Sequence, residues 1–284
     1  MTAAGADAED RVRVAEGGRA TRLTVATLAA ITLLFLGLPV ATLVVRAITG
    51  GAIGRTQVGP LLDALVLSLC TSLIAVTLVV MFGSALAWIL ARRAFRGKAL
   101  AETLVDLPIV LPPSVAGLAL LLLLGRNGVL GAPLHALGIE LPFTTAAVVV
   151  AQSFVAAPFF IRSARTGFAG VDHDLEDAAR VDGASELALF RRITVPLASS
   201  ALAAGLVMAW ARALGEFGAT IMFAGNVEGH TQTLPLVVYS EFQAGNLDTS
   251  VAAAAILVLA AFGVLVAVRL LHWGRILDVR SVAG

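Results

Sequence analysis

Six long apolar runs leave this chain one kind of environment to fold in. Residues 23–45, 61–90, 104–124, 144–161, 196–224 and 251–271 are each dominated by Leu, Val, Ala, Ile and Phe. A run of about 18 or more apolar residues reads as a membrane span. In hydrocarbon every backbone N–H and C=O needs an internal partner, and an open sheet edge leaves many without one. The runs are therefore read as helices. The second and fifth exceed the ~20 residues that a crossing needs, which implies tilt or protrusion. The expected fold class is an all-α polytopic membrane protein with six transmembrane helices.

Composition removes the other classes. Of 284 residues 58% are hydrophobic and only 14% charged, against about 25% charged in a typical soluble domain. The net charge of +1 gives no basic excess for nucleic acid. A single cysteine excludes a disulfide framework, and four scattered histidines give no paired metal spacing. No cofactor or metal is expected. Cys70, inside an apolar run, reads as a packed thiol.

The basic residues orient the spans. Arg11, Arg13, Arg19 and Arg22 precede the first, and Arg92, Arg93, Arg96 and Lys98 follow the second. Arg162, Arg165, Arg180, Arg191 and Arg192 follow the fourth, and Arg269, Arg275 and Arg280 close the chain. Only Arg46, Arg55 and Arg126 fall on the other side, with Arg212 inside span five. Lys and Arg accumulate in cytoplasmic loops, so both termini are expected in the cytoplasm. The first run is longer than a signal-peptide core and no small-residue cleavage site follows, so it reads as retained. The expected organisation is a disordered cytoplasmic tail (1–20), a first transmembrane helix with its outer loop (21–60), a transmembrane domain (61–271) and a second cytoplasmic tail (272–284). Gly125, Gly128, Gly131 and Gly138 make an outer loop. They lack the strand and lysine of a phosphate-binding loop.

One link stands apart. Residues 163–195 form a cytoplasmic loop far longer than its neighbours, and long ordered loops are usually functional. Asp172 or Asp174 suits a helix start, Leu175, Ala178 and Ala179 follow at helical spacing, and Gly183 breaks the helix. Ser185 suits the cap of a second short helix carrying Leu187, Leu189 and Phe190. Pro196 suits the first turn of the next span. The pattern is a helix–Gly–helix knob with small residues on its face. It fits a docking element or an amphipathic linker lying on the membrane surface. His173, among acids, reads as a surface residue.

The segment Asp177-Ala178-Ala179-Arg180-Val181-Asp182-Gly183, followed by Ile193-Thr194-Val195-Pro196, resembles the EAA loop of ABC importer permeases. Asp177 stands where Glu is usual and Val195 where Leu is usual. The resemblance implies a type I ABC importer transmembrane fold over residues 61–271. It implies a coupling helix that docks into a separate cytoplasmic ATPase, with Asp177, Ala178, Ala179, Gly183, Ile193 and Pro196 as the coupling residues. It also implies a homodimer, an extracytoplasmic binding protein, and a location in the bacterial cytoplasmic membrane. ATP is then hydrolysed by the partner, and the chain itself is a transport subunit rather than an enzyme.

Two stretches inside the spans carry polar or helix-breaking residues. Pro108, Pro112 and Pro113 remove backbone donors at the start of span three, just before Ser114. Irregular backbone at membrane depth needs protein or a water-filled cavity beside it. The stretch therefore lines a path or packs inside the bundle, or else is a helix-entry kink at the membrane surface. Arg212 and Glu216 lie four apart on span five and share a helix face. Counting from Pro196 at ~1.5 Å per residue puts them roughly 24 and 30 Å along the helix, in the outer half of the membrane. Ionisable groups there are expensive and mark function by default. An Arg attracts an oxyanion and a neighbouring Glu keeps it from sticking. The alternative is an ion pair that only fastens helices. Gly215 and Gly218 flank the pair and suit a hinge or close packing. Trp88, Tyr239 and Trp273 suit the membrane interface.

The stretches Leu107–Gly117, Ala211–Thr220, Phe223–Asn226 and Thr231–Leu236 together resemble the molybdate branch of these permeases, whose neighbours carry sulfate, thiosulfate or tungstate. The implied substrate is molybdate, delivered by a molybdate-binding protein. Two other classes of membrane protein make different demands on the sequence. An intramembrane enzyme needs a buried nucleophile–base pair, a carboxylate dyad or metal ligands, and an ion-coupled secondary transporter needs no ATPase. The EAA spacing speaks against both.

Overall fold

In the computed structural model of the chain the backbone is described for residues 3–51, 54 and 58–282, and side chains for 21–51, 54 and 58–266. All regular structure among the described residues is helical. In chain order the helices are α1 (Ala3–Thr49), α2 (Val58–Arg92), α3 (Lys98–Val110), α4 (Pro113–Leu124), α5 (Gly131–Ala136), α6 (Thr145–Ala169), α7 (His173–Val181) and α8 (Glu186–Leu189). A π-helical turn over Phe190–Thr194 leads to α9 (Val195–Leu197), α10 (Ser199–Leu214), α11 (Gly218–Phe223), α12 (Leu234–Gln243) and α13 (Leu247–Val282). Helical backbone continues from α1 into the polar tail for which the sequence suggests no structure. The side chains of residues 1–20, and Trp273, lie outside the described ones.

Four helical stretches are long and apolar enough to cross a bilayer: Thr21–Thr49, Val58–Arg92, Thr145–Ala169 and Leu247–Val266. The other two passes are bent pairs, with 118° between α3 and α4 and 74° between Glu186–Leu197 and α10. Six spans are reached when each bent pair counts as one.

The run 104–124 is thus not one helix. Leu111 and Pro112 are extended, with ψ of 132° and 135°. Each precedes a proline, whose ring clashes with a helical residue before it. Pro113 then opens α4, where its missing N–H costs nothing. The 12 residues of α4 reach only about 18 Å, short of a full crossing.

The run 196–224 also divides. Pro196 lies in α9, ahead of the bend at Ala198, and does not open the crossing helix. That helix, α10, starts at Ser199, stops at Leu214, and is followed by the separate turn α11. Arg212 therefore lies about 20 Å along α10, and Glu216 lies beyond its end.

The hub is α6, packed between α2 and α10. Leu90, Phe160, Phe168, Trp210 and Leu214 fill this seam. The α6–α10 approach is close because the facing residues are small. A Cβ on Gly205 would lie 2.7 Å from the Ser163 Cβ, and the Ser163 hydroxyl donates to Ala201 O at 2.7 Å. Without a hydrophobic drive between helices in lipid, such close packing and interhelical hydrogen bonding provide the association. A second cluster joins α4, α6 and α11, and a third joins α2, α12 and α13. The first helix stands outside the bundle against α13, most of its described apolar side chains exposed, as lipid-facing residues are, with Ala47 buried. Cys70 is also exposed on the outside of the bundle rather than packed within it.

Candidate functional site

The first candidate is the knob between α6 and α10. Asp172 caps α7, its carboxylate accepting the Asp174 N–H at 3.0 Å. Ser185 caps α8 by accepting the Ala188 N–H at 3.3 Å. Between them Gly183 has φ of +87°, a left-handed conformation that costs a side-chain-bearing residue about 1–2 kcal/mol. Asp177 and Ala178 are exposed, Ala179 and Ile193 half-buried, and Pro196 exposed. Arg180 spans the turn, pairing with Asp177 at 2.7 Å and Glu186 at 2.9 Å. Three large apolar side chains, Leu175, Val181 and Leu187, project outward, Val181 being 88% exposed. An apolar surface on a polar knob suits a protein partner rather than water.

The opposite side of the knob holds residues that the sequence reading passed over. Glu176 is buried and pairs with Arg92, the last residue of α2, at 3.0 Å. The Thr194 hydroxyl donates to the same carboxylate oxygen at 2.8 Å. His173 is exposed but not free: its Nε2 lies 2.8 Å from Arg92 Nη1. Phe190 wedges between Trp88 of α2 and Phe168 of α6, with ring centroids 6.4 and 5.9 Å apart. So Trp88, expected at the membrane interface, packs against the knob.

The second candidate lies where the two broken spans meet. Gly218 opens α11 directly against the start of α4. A Cβ there would come within 2.8 Å of the Pro113 Cβ and 3.1 Å of the Ser114 N. One turn on, a Cβ on Gly117 would lie 2.6 Å from Ala219 O. The proline stretch of span three and the Gly-Glu-Phe-Gly stretch of span five are thus in direct contact. Gly215 ends α10 in an ordinary conformation, and a Cβ there would meet nothing closer than Ala211 O at 3.5 Å.

Arg212 and Glu216 pair as expected, although not along one helix. Arg212 Nη1 faces Glu216 Oε2 in an ion pair that is not aligned as a hydrogen bond. Glu216 Oε1 accepts the Ala219 N–H at 2.7 Å. The carboxylate therefore restarts the helix after the break. Glu216 is fully buried, while the Arg212 side chain is 27% exposed. Pro112, Pro113, Ser114 and Gly215 are exposed on the single chain. Gln152 of α6 and Thr220 of α11 are fully buried, and their side-chain polar atoms have no hydrogen-bond partner among the described residues. Tyr239 is exposed and packs at a tilt on Phe217, with ring centroids 4.9 Å apart.

Residues 80–273 match the family of binding-protein-dependent transport system inner membrane components. A putative molybdenum transport system permease protein of Bacillus subtilis is 45% identical over 184 residues, which cover 64% of this chain and 80% of that protein. A probable molybdenum ABC transporter permease protein of Haloferax volcanii is 37% identical over 244 residues, 86% of this chain and 88% of that one. Among solved structures, a bacterial ABC transporter that imports alginate superposes with a TM-score of 0.71 at 18% identity, covering 93% of this chain and 98% of that chain. That likeness shows a shared fold, the transmembrane fold of type I ABC importers. The bent helix pairs, the long knob between α6 and α10 and a match across most of the chain lead to one assignment: this chain belongs to the binding-protein-dependent transport system inner membrane components, the multi-pass permease subunits of ABC importers, which carry solute but are not themselves enzymes.

Proposed function

We propose that the chain is the permease of an ATP-driven molybdate importer. It works as a homodimer with two cytoplasmic ATPase subunits and an extracytoplasmic molybdate-binding protein. The observation that carries the substrate is the identity of 37–45% to permeases named for molybdenum transport. Both termini and the 163–195 knob lie in the cytoplasm, on the charge distribution of the loops. Asp177, Ala178, Ala179, Gly183, Ile193 and Pro196 form the ATPase-coupling segment. The exposed tips of the knob support this reading, because Leu175, Val181 and Leu187 offer a cleft something to bind.

The broken-span contact is the path or gate. Pro112, Pro113, Ser114 and Gly215 are exposed on one chain and turn toward a second copy. Arg212 provides positive charge on the way of an oxyanion, and Glu216 tempers it. Conduction needs attraction strong enough to admit the anion and weak enough to release it. Closure of the ATPases on nucleotide draws the two knobs together and opens the outer side. The test is uptake of molybdate, measured by elemental analysis in a strain lacking its own permease and complemented with this chain. Uptake should resist excess sulfate and yield to tungstate, which nearly matches molybdate in size and charge. Sulfate-sensitive uptake driven by a sulfate-binding partner would move the chain to the sulfate branch.

A further inference from the structure

We infer that Arg92 is a positioning residue for energy coupling: through Glu176 it joins the knob to the inner end of α2, so that a push on the knob moves the α2–α6–α10 core as one body. This inference rests on the reading of the knob as the ATPase-docking element.

Three separate pieces of chain meet at one carboxylate. Glu176 Oε1 receives Arg92 Nη2 at 3.0 Å and the Thr194 hydroxyl at 2.8 Å. The same Nη2 donates to Val171 O at 2.9 Å, and Nη1 lies 2.8 Å from His173 Nε2. Arg92 thus grips the first turn of the knob, and Thr194 ties the last turn to that grip. Both charged side chains are only 5% exposed. Phe190, between Trp88 and Phe168, holds the last turn against the same two helices.

The arrangement is poorly suited to stability alone. Two charges taken out of water lose hydration that their attraction only partly returns, and a well-packed apolar pair often holds a fold as well or better. Charge-assisted hydrogen bonds from a guanidinium add fixed direction. A knob hung on its peptide links alone would swivel when an ATPase moved its exposed face, and the displacement would dissipate. With both of its ends fixed to α2, the displacement has to pass into the bundle.

The experiment uses the complete importer in liposomes, with molybdate as substrate, and measures molybdate imported per ATP hydrolysed. Glu176→Gln keeps size and an acceptor but loses the charge, Thr194→Val loses one hydroxyl, and Arg92→Lys keeps charge but loses the fork. Each should still assemble and hydrolyse ATP. The transport-to-hydrolysis ratio should fall about fivefold or more in Glu176→Gln, less in Thr194→Val, and partly recover in Arg92→Lys relative to Arg92→Leu. The apolar double variant Arg92→Leu/Glu176→Leu should assemble and remain uncoupled. If Glu176→Gln does not assemble, Thr194→Val and Arg92→Lys decide. A wild-type ratio in every variant that assembles, or full recovery in the apolar double variant, overturns the inference and leaves a fastening pair. Copurification of the unaltered chain with its ATPase is the separate control: its failure removes the docking reading, whereas intact copurification with an unchanged ratio removes only the role of Arg92.

Discussion

Arg212 and Glu216 face each other across the end of a helix rather than along it. The guanidinium leaves the last turn of α10, and the carboxylate it meets also accepts the Ala219 N–H in the first turn of α11. One acid therefore serves both as counter-ion and as helix cap. Removing Arg212 leaves a fully buried carboxylate without its cation, a loss of roughly 3–5 kcal/mol. Arg212→Ala should reduce the amount of folded permease. The neutral pair Arg212→Gln/Glu216→Gln keeps hydrogen-bonding groups, and it should restore folding and ATPase binding while molybdate uptake stays low. Uptake at the unaltered level in that double variant would reduce the pair to a fastener.

Contact between the broken spans predicts a steric test. At Gly117 a methyl group would come within 2.6 Å of Ala219 O and 2.8 Å of the Met222 Cβ. Backbone atoms cannot step aside as a flexible side-chain end can. Gly117→Ala should lower stability by about 1–3 kcal/mol, read as a drop in melting temperature of the detergent-purified protein. Gly215→Ala, which meets only Ala211 O at 3.5 Å, should melt as the unaltered chain does.

The turn of the knob offers a conformational test. Gly183 sits at φ +87°, a region that Asn tolerates and a β-branched residue does not. Gly183→Val should lose copurification with the ATPase and most uptake, with membrane insertion intact. Gly183→Asn should retain both. Equal behaviour of the two variants would disconnect the turn from docking.

Topology is open to labelling. Cys70 is exposed and must first become Ser. In that background Leu137→Cys and Glu228→Cys should react in whole cells with a reagent that cannot cross the membrane. Val181→Cys, at a position 88% exposed in the structure, should react only after the cells are opened. The reverse pattern would invert the orientation.

The knob was legible because its signals are local. Asp172, Gly183 and Ser185 act on residues two to four positions away, so spacing alone places the helices. The broken spans were half-legible: the prolines announce distortion, yet a 118° turn depends on what receives α4, and that is α11, a hundred residues on. Pro196 was misplaced because proline tolerates the first turn of any helix, and the bend at Ala198 carries no marker. Glu176 was missed for a plainer reason. An acid beside a motif reads as solvated, and nothing near it in sequence mentions Arg92, 84 positions earlier. Its one signal was indirect: α2 ends on an arginine.

The contact of α4 with α11 bears on leakage. Each is a short helix, of 12 and 6 residues, so each has terminal N–H or C=O groups that helix continuation does not satisfy. Swung out separately into lipid, either one would expose those groups to hydrocarbon, at several kcal/mol per group. Moving together, they keep their mutual seal. In the gate proposed above, such a pair would have little chance of standing ajar, and protons and small ions driven by the membrane voltage would find no half-open door between transport cycles.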